Sequence, residues 1–259
     1  MIPIALTIAS SDSSNGAGVT ADLRVFEKFG VYGTCVITNV TAQNSGGVKK
    51  IYKIAPRITE AQIDAVIKDF PVKAAKIGML YSQETVNAVA KRIKRRNIPN
   101  VILDIPLVSK NSLAITKESA YRSVVKNLLP LCLLVTPNRD EAEKLACMEI
   151  NTDDDIKTAC RKIYDLGVKN VLLKGGHFDS PSDVFFDGRD FYVFSGEKYR
   201  DKNVHGTGCT LSAAICACVA KGMSLGDSIE KAKEFLNKEI TKSEKIGREN
   251  MDFFVPDIN

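Results

Sequence analysis

The chain has 259 residues, of which 44% are hydrophobic and 26% charged, a balance that excludes a disordered chain and leaves ample apolar material for a core. The formal net charge of +5 is too small an excess to argue for nucleic acid and is compatible with a small anionic ligand. No stretch of roughly 18 or more uncharged apolar residues indicates a membrane span.

In chain order, residues 1–9 lack a basic leader region and turn polar at Ser10, which reads as a first strand and not as a signal peptide. A cytoplasmic setting follows as the expectation. Seven cysteines without framework spacing then read as reduced thiols, and two histidines with no Cys-x-x-Cys pair make a zinc site improbable. Short β-rich runs are predicted at 4–8, 31–37, 75–77, 101–103, 133–136 and 171–173. Helical patterns are predicted at 19–29, 60–70, 83–95, 119–129, 139–146, 153–166, 210–221 and 224–245. This alternation is the signature of an α/β fold with a central, mostly parallel sheet covered by helices. Residues 183–196 read as a small antiparallel hairpin at a sheet edge, and residues 43–53 as a flap leaving the sheet. With no repeat or linker, residues 1–259 are expected to form a single domain.

The strongest local signal is His205-Gly206-Thr207-Gly208-Cys209-Thr210-Leu211-Ser212, a glycine-rich turn running into an Ala-rich helix. Free amides at a helix start carry the positive end of the dipole, so Gly206, Thr207 and Gly208 suit an anion; a plain helix start is the simpler reading. The same location favours a thiolate at Cys209, able to act as nucleophile or general base. A second Gly-rich loop, Ser10 to Gly18, follows the first strand and is neither a Walker A loop nor G-x-G-x-x-G. Asp22 beyond it could favour the helix dipole or reach a ligand. Lys174, ending a strand before Gly175-Gly176-His177, suits phosphates. Asn138 and Glu141 fit an N-cap with an acidic first turn, and also fit a Mg²⁺-organising pair; Asp104 at another strand end is a comparable candidate. The basic cluster 92–96 reads as a solvated helix end.

Together with Thr41-Ala42-Gln43-Asn44 and Lys76-Ile77-Gly78-Met79-Leu80, these motifs fall in an order that resembles the hydroxymethylpyrimidine/phosphomethylpyrimidine kinase family of thiamine biosynthesis, in the ribokinase-like superfamily. The resemblance runs from Ile4 to about Gly222. Its most specific mark is Cys209, where related sugar kinases carry aspartate. It implies a three-layer sandwich with ATP and substrate at the carboxyl edge of the sheet. It further implies an anion hole at Gly206–Cys209, proton acceptance by Cys209, and phosphate stabilisation by Lys174. Mg²⁺–ATP would be organised by Asn138, Glu141 and Asp104. Asp22 and Gln43 would hydrogen-bond the aminopyrimidine, Met79 would pack on the ring, and Gly18 would lie at the substrate loop. A homodimer is implied as well.

Two departures stand out. Ser14-Asn15-Gly16-Ala17-Gly18 replaces the family's Ser-Gly-Gly-Ala-Gly, and Ile105-Pro106-Leu107 with the following stretch to Ser112 replaces Pro-Val-Met and its Lys-Ser-Gly. These bear on ring specificity and on the second phosphorylation. The alternatives are a pyridoxal kinase of vitamin B6 salvage on the same scaffold, or a non-catalytic pyrimidine-binding protein.

Overall fold

The computed structural model describes residues 2–104, 106, 116–175, 182–196, 202–249 and 251–255. Its strands are β1 (Ile4–Asp12), β2 (Tyr32–Asn44), β3 (Gly47–Lys53), β4 (Ala74–Ile77), β5 (Val101–Leu103), β6 (Leu134–Val135), β7 (Val171–Leu173), β8 (Asp183–Phe186) and β9 (Phe191–Phe194). They form one sheet in the order β3-β2-β1-β4-β5-β6-β7-β8-β9. The six strands from β2 to β7 in that order pair in parallel, whereas β3, β8 and β9 are antiparallel to their neighbours. The helices are α1 (Gly18–Lys28), α2 (Pro56–Asp69), α3 (Gln83–Arg96), α4 (Glu118–Ser123), α5 (Arg139–Ala146), α6 (Asp153–Asp165), α7 (Thr207–Ala220) and α8 (Leu225–Lys242).

Central parallel strands are apolar on both faces because helices cover both. The period of two sorts their side chains between two cores. Leu6, Ile8, Ala75, Ile77, Val101, Leu103, Val171 and Leu173 pack against Ile63 of α2, Val86, Val89 and Ile93 of α3, Leu145 of α5 and Ile163 of α6. Ala5, Ala74, Ile102, Leu134 and Leu172 face the other way, against Phe26 of α1, Leu211 to Ala220 of α7, and Ile229 and Ala232 of α8. Each fully buried Leu or Ile contributes about 2 kcal/mol by leaving water. The result is the three-layer α/β sandwich expected, with its antiparallel hairpin β8–β9 at one edge.

The alternation also decides where polar residues go. Thr7 shares its face with Ala5, and Lys76 with Ala74, so both side chains enter the α1/α7 layer. Helix α7 is buried along its whole length from Thr210 to Ala220. A helix apolar all round belongs inside a fold, and its small residues let it lie close under the sheet.

Three expectations are corrected. Residues 43–53 do not leave the sheet: β2 continues to Asn44 and turns, and β3 pairs back on it as the edge strand. The 119–129 helix is interrupted, with α4 ending at Ser123, a π-helical turn over Val124–Leu128 and a 3-10 turn over Leu129–Leu131. Pro130 lacks the N–H an α-helix would need there. Helix α7 begins three residues earlier than the apolar pattern suggests, at Thr207, because Gly206 supplies its N-cap with φ +80. A Cβ on Gly206 would also run into the Gly16 carbonyl oxygen.

Candidate active site

Loops at the carboxyl ends of parallel strands are where open α/β sheets bind ligands. Here the ends of β1, β2, β5 and β7, together with the segments just after β4 and β6, bring together Asp12, Gln43, Met79, Asp104, Thr136, Asn138 and Lys174. The starts of α1 and α7 descend onto the same edge.

Two ion pairs form the floor. Lys76 and Asp22 are both 0% exposed, and the Lys76 Nζ donates to both Asp22 oxygens at 2.9 Å. Thr7 Oγ1 donates to Asp22 Oδ2 at 2.6 Å. Burial works against the Lys76 ammonium, but Asp22, Cys209 and Asp104 outweigh it and hold lysine's pKa above its ordinary value. Burial pushes the Asp22 carboxyl up, with Lys76 and Thr7 pulling against that rise. The second pair is Lys174 Nζ to Asp104 Oδ1 at 3.0 Å. Thr136 Oγ1 also reaches Asp104 Oδ1, at 3.3 Å. Burial opposes the Asp104 charge, yet Lys174 and Lys76 hold its carboxyl below the usual range. Burial likewise opposes the Lys174 charge, and Asp104 and Glu141 outweigh it.

Helix α7 starts directly over these pairs. It has no side-chain cap and no acidic residue in its first turn, whereas α3, α5, α6 and α8 all have both. The amides of Thr207, Gly208 and Cys209 thus present the positive end of a 14-residue helix to the sheet edge. A Cβ on Gly208 would lie 3.3 Å from Lys174 Nζ and 3.6 Å from Asp104 Oδ2, so glycine keeps the space beside the cation open. An anion entering here would meet backbone donors and an ammonium together, which is the machinery phosphoryl transfer requires.

Cys209 departs from expectation. Burial pushes its thiol up to about 11, and although Lys76 and the Gly18 N–H lower it, Asp104 and Asp22 add to the rise. The helix dipole is real, but two nearby carboxylates and desolvation win, so the thiol is neutral at pH 7. Asp22, expected to hydrogen-bond the substrate ring, is 0% exposed and bonded to Lys76 and Thr7, so its charge is balanced beneath the site.

Asn138 and Glu141 form a reciprocal capping box at the start of α5, with Asn138 N–H donating to Glu141 Oε2 at 2.8 Å and Glu141 N–H to Asn138 Oδ1 at 2.9 Å. The capping reading therefore holds, and it leaves both residues near Lys174. Among the described residues there is no group of three or more His, Cys, Asp or Glu able to hold a metal. Mg²⁺ bound through nucleotide phosphates and water needs only one or two carboxylates. The hard oxygens of Asp104 and Glu141, both acting on Lys174, fit that requirement.

Gln43, half-buried at the end of β2, lies beside Asp12 and His205. Met79 is 8% exposed and its sulfur accepts from Ser10 Oγ at 3.4 Å. Gly18 opens α1 with φ +62. Gly176, His177, Ile105 and residues 107–112 lie outside the described residues. Lys76, Asp12 and Thr41 stand among the site residues without a role assigned from the sequence. The signal for Lys76 was present: a lysine within the four-residue, otherwise apolar strand Ala74–Ile77 has to find a buried anion.

A parallel-sheet sandwich whose uncapped core helix meets a paired lysine at the strand ends defines a small-molecule phosphotransferase of the ribokinase-like class. The family model for phosphomethylpyrimidine kinase matches residues 12–253, and the chain belongs to that family. The hydroxymethylpyrimidine/phosphomethylpyrimidine kinase of Aquifex aeolicus is 38% identical over 254 residues, covering 96% of this chain and 100% of that protein. The thiamine biosynthesis bifunctional protein ThiED of Geobacter sulfurreducens is 39% identical over 94% of this chain, which spans 50% of that longer protein. The pyridoxal kinase of Bacillus subtilis, solved as an ADP complex, superposes with a TM-score of 0.90 at 32% identity, covering 98% of this chain and 97% of that one.

Proposed function

We propose that this kinase transfers the γ-phosphoryl group of ATP to the hydroxymethyl oxygen of 4-amino-5-hydroxymethyl-2-methylpyrimidine. It then phosphorylates the resulting monophosphate to the diphosphate for thiamine assembly. The observation that carries the reading is the uncapped start of α7 at Gly206–Cys209 set over the Lys174–Asp104 pair. The acceptor oxygen bonds to the γ-phosphorus as the bond to the β-bridging oxygen breaks, and ADP leaves. The α7 amides and Lys174 hold the charge that develops on the transferring group. Cys209 takes the hydroxyl proton in this reading. Since its thiol is neutral at pH 7, that role draws on a thiolate fraction on the order of 10⁻⁴ across a gap of about four pH units. Mg²⁺, when bound with ATP, would neutralise phosphate charge; Asp104 and Glu141 would hold it, with Asn138 fixing the orientation of Glu141. Gln43 and Met79 would contact the ring, and Gly18 would line the substrate loop.

One sheet runs through the chain, which supports reading 1–259 as a single catalytic domain. Among the described residues no helix is long and apolar enough to cross a membrane. Among the described residues the outer edge of β3 pairs with no strand, which, with Tyr52 73% exposed, supports a homodimer.

The second reading is a pyridoxal kinase, favoured by the close superposition on the Bacillus subtilis structure. An ADP-release assay with Mg²⁺–ATP separates the two, run on the pyrimidine, its monophosphate and pyridoxal, with Cys209→Ala in parallel. Turnover of both pyrimidines, lost in the variant, is the expected result. Turnover of pyridoxal alone assigns the chain to vitamin B6 salvage, and no turnover of any acceptor returns it to ligand binding without catalysis.

A further inference from the structure

The carboxylate of Asp12 is a hub. Its Oδ1 accepts from the backbone N–H and hydroxyl of Ser14 at 2.8 and 2.7 Å, and its Oδ2 from Ala17 N–H at 2.9 Å. His205 Nε2 lies 3.0 Å from the same Oδ2 and 2.9 Å from the side-chain nitrogen of Gln43. These two contacts make opposite demands. An acceptor carboxylate requires the hydrogen to be on His205 Nε2, and a nitrogen that carries a hydrogen cannot accept from an amide nitrogen. Burial opposes the charge on Asp12, but the bonds from His205 and Ser14 hold its carboxyl below the usual range. Asp12 is therefore an anion and decides the tautomer.

The other end of Gln43 repeats the conflict independently. Thr41 Oγ1 lies 2.8 Å from the Ser11 carbonyl oxygen and 3.3 Å from Gln43 Oε1. The single hydroxyl hydrogen of Thr41 has to point at Ser11, because a carbonyl has none to offer. Thr41 thus faces Gln43 with a lone pair and needs an N–H there. Turning the carboxamide by 180°, an exchange of two atoms of similar size, sets an N–H against the Thr41 lone pair and a carbonyl oxygen against the His205 N–H. The turn gives up the Gln43-to-Asp12 bond and sets Oε1 3.3 Å from Asp12 Oδ2, so the single Nε2–H of His205 is shared between these two oxygens.

We propose that His205, held by Asp12, and Thr41 fix the Gln43 carboxamide with Oε1 on His205 and Nε2 on Thr41, and that His205 is thereby a positioning residue for substrate specificity. The proposal rests on Gln43 as a contact of the aminopyrimidine. That ring carries an amino donor beside a ring-nitrogen acceptor, so it pairs with a fixed amide edge in one sense only. The sense sets which way the hydroxymethyl group points. Pyridoxal has no such donor–acceptor pair and gains nothing from it. The imidazole is itself held in place. It packs edge-on against Phe253 with ring centroids 5.6 Å apart, and fills space that a side chain at Gly16 would occupy.

The chain contains two histidines, so nitrogen NMR of protein labelled with ¹⁵N-histidine reads the tautomer directly, with His177→Gln assigning the signals. The expected result is a hydrogen-bearing Nε2 on His205 in the ligand-free protein; a bare Nε2 overturns the proposal. Kinetics give the second arm. His205→Phe keeps an aromatic ring and removes the donor. Loss of one hydrogen bond predicts about a tenfold rise in KM for the pyrimidine, a similar fall in preference over pyridoxal, and an ATP KM within about twofold. His205→Gln, which restores an N–H, recovers most of that preference. Unchanged preference in folded His205→Phe overturns the proposal. Wild-type protein that turns over no pyrimidine overturns the functional reading and the specificity role with it, and the tautomer measurement still tests the hydrogen-bond geometry.

Discussion

Replacing Lys76 by methionine tests the floor of the site. The substitution nearly conserves volume but leaves the Asp22 carboxylate, 0% exposed, with the Thr7 hydroxyl bond in place of its ion pair. Breaking a buried pair by removing one member costs about 3–5 kcal/mol, because the surviving charge stays desolvated. Folded proteins hold about 5–15 kcal/mol in total, so a large fraction is lost. At about 2–4 °C per kcal/mol for a chain of this size, Tm falls by roughly 6–20 °C. Urea unfolding followed by far-UV circular dichroism measures this, since the chain has no tryptophan. The double variant Lys76→Met/Asp22→Leu removes both charges and is expected to return to within about 2 kcal/mol of wild type. A loss below about 1 kcal/mol in the single variant would refute the argument, because Asp22 would then not be an anion that depends on Lys76.

Gly208→Ala should gain up to about 1 kcal/mol of helix stability while kcat falls at least about tenfold, because the methyl group occupies the space beside Lys174; equal activity would show that no phosphate approaches there. Alkylation of Cys209 by iodoacetamide, resolved by mass spectrometry, should climb towards about pH 11, and kcat should follow if the thiolate is the base. An alkylation midpoint near pH 7 would contradict the neutral thiol. Asp12 has a depressed pKa in the folded state, so the stability it contributes is present above the unfolded value of 3.8 and lost as pH falls through the folded one. Asp12→Asn should therefore differ from wild type by a constant amount between about pH 5 and 7, with the gap closing below about pH 4; a gap that widens in acid would reverse the sign.

Much of this protein is legible without coordinates, because local rules write it. The β1, β4, β5 and β7 strands follow from short apolar runs, and α3, α5 and α6 from their periodicity and caps. The Gly206–Cys209 turn announces an uncapped helix start, since glycine and bare amides there are read from adjacent residues. Other features depend on residues that are distant in sequence and close in space. Residues 43–53 look like a flap because a lone polar-rich run gives no sign of its partner strand. The thiol of Cys209 looks activated because its own helix is visible, while Asp22 and Asp104, each more than 100 positions away, are not. Nothing near Asp22 in sequence shows that Lys76, 54 positions on, bonds both its oxygens. The glycine-rich turn and the uncapped start of α7 were determined by the sequence, through backbone geometry and helix polarity. The protonation of the Cys209 thiol, the neutralised floor and the meeting of Gln43 with Asp12 and His205 were decided by tertiary structure alone, because electrostatics and hydrogen bonding depend on distance through space and not along the chain.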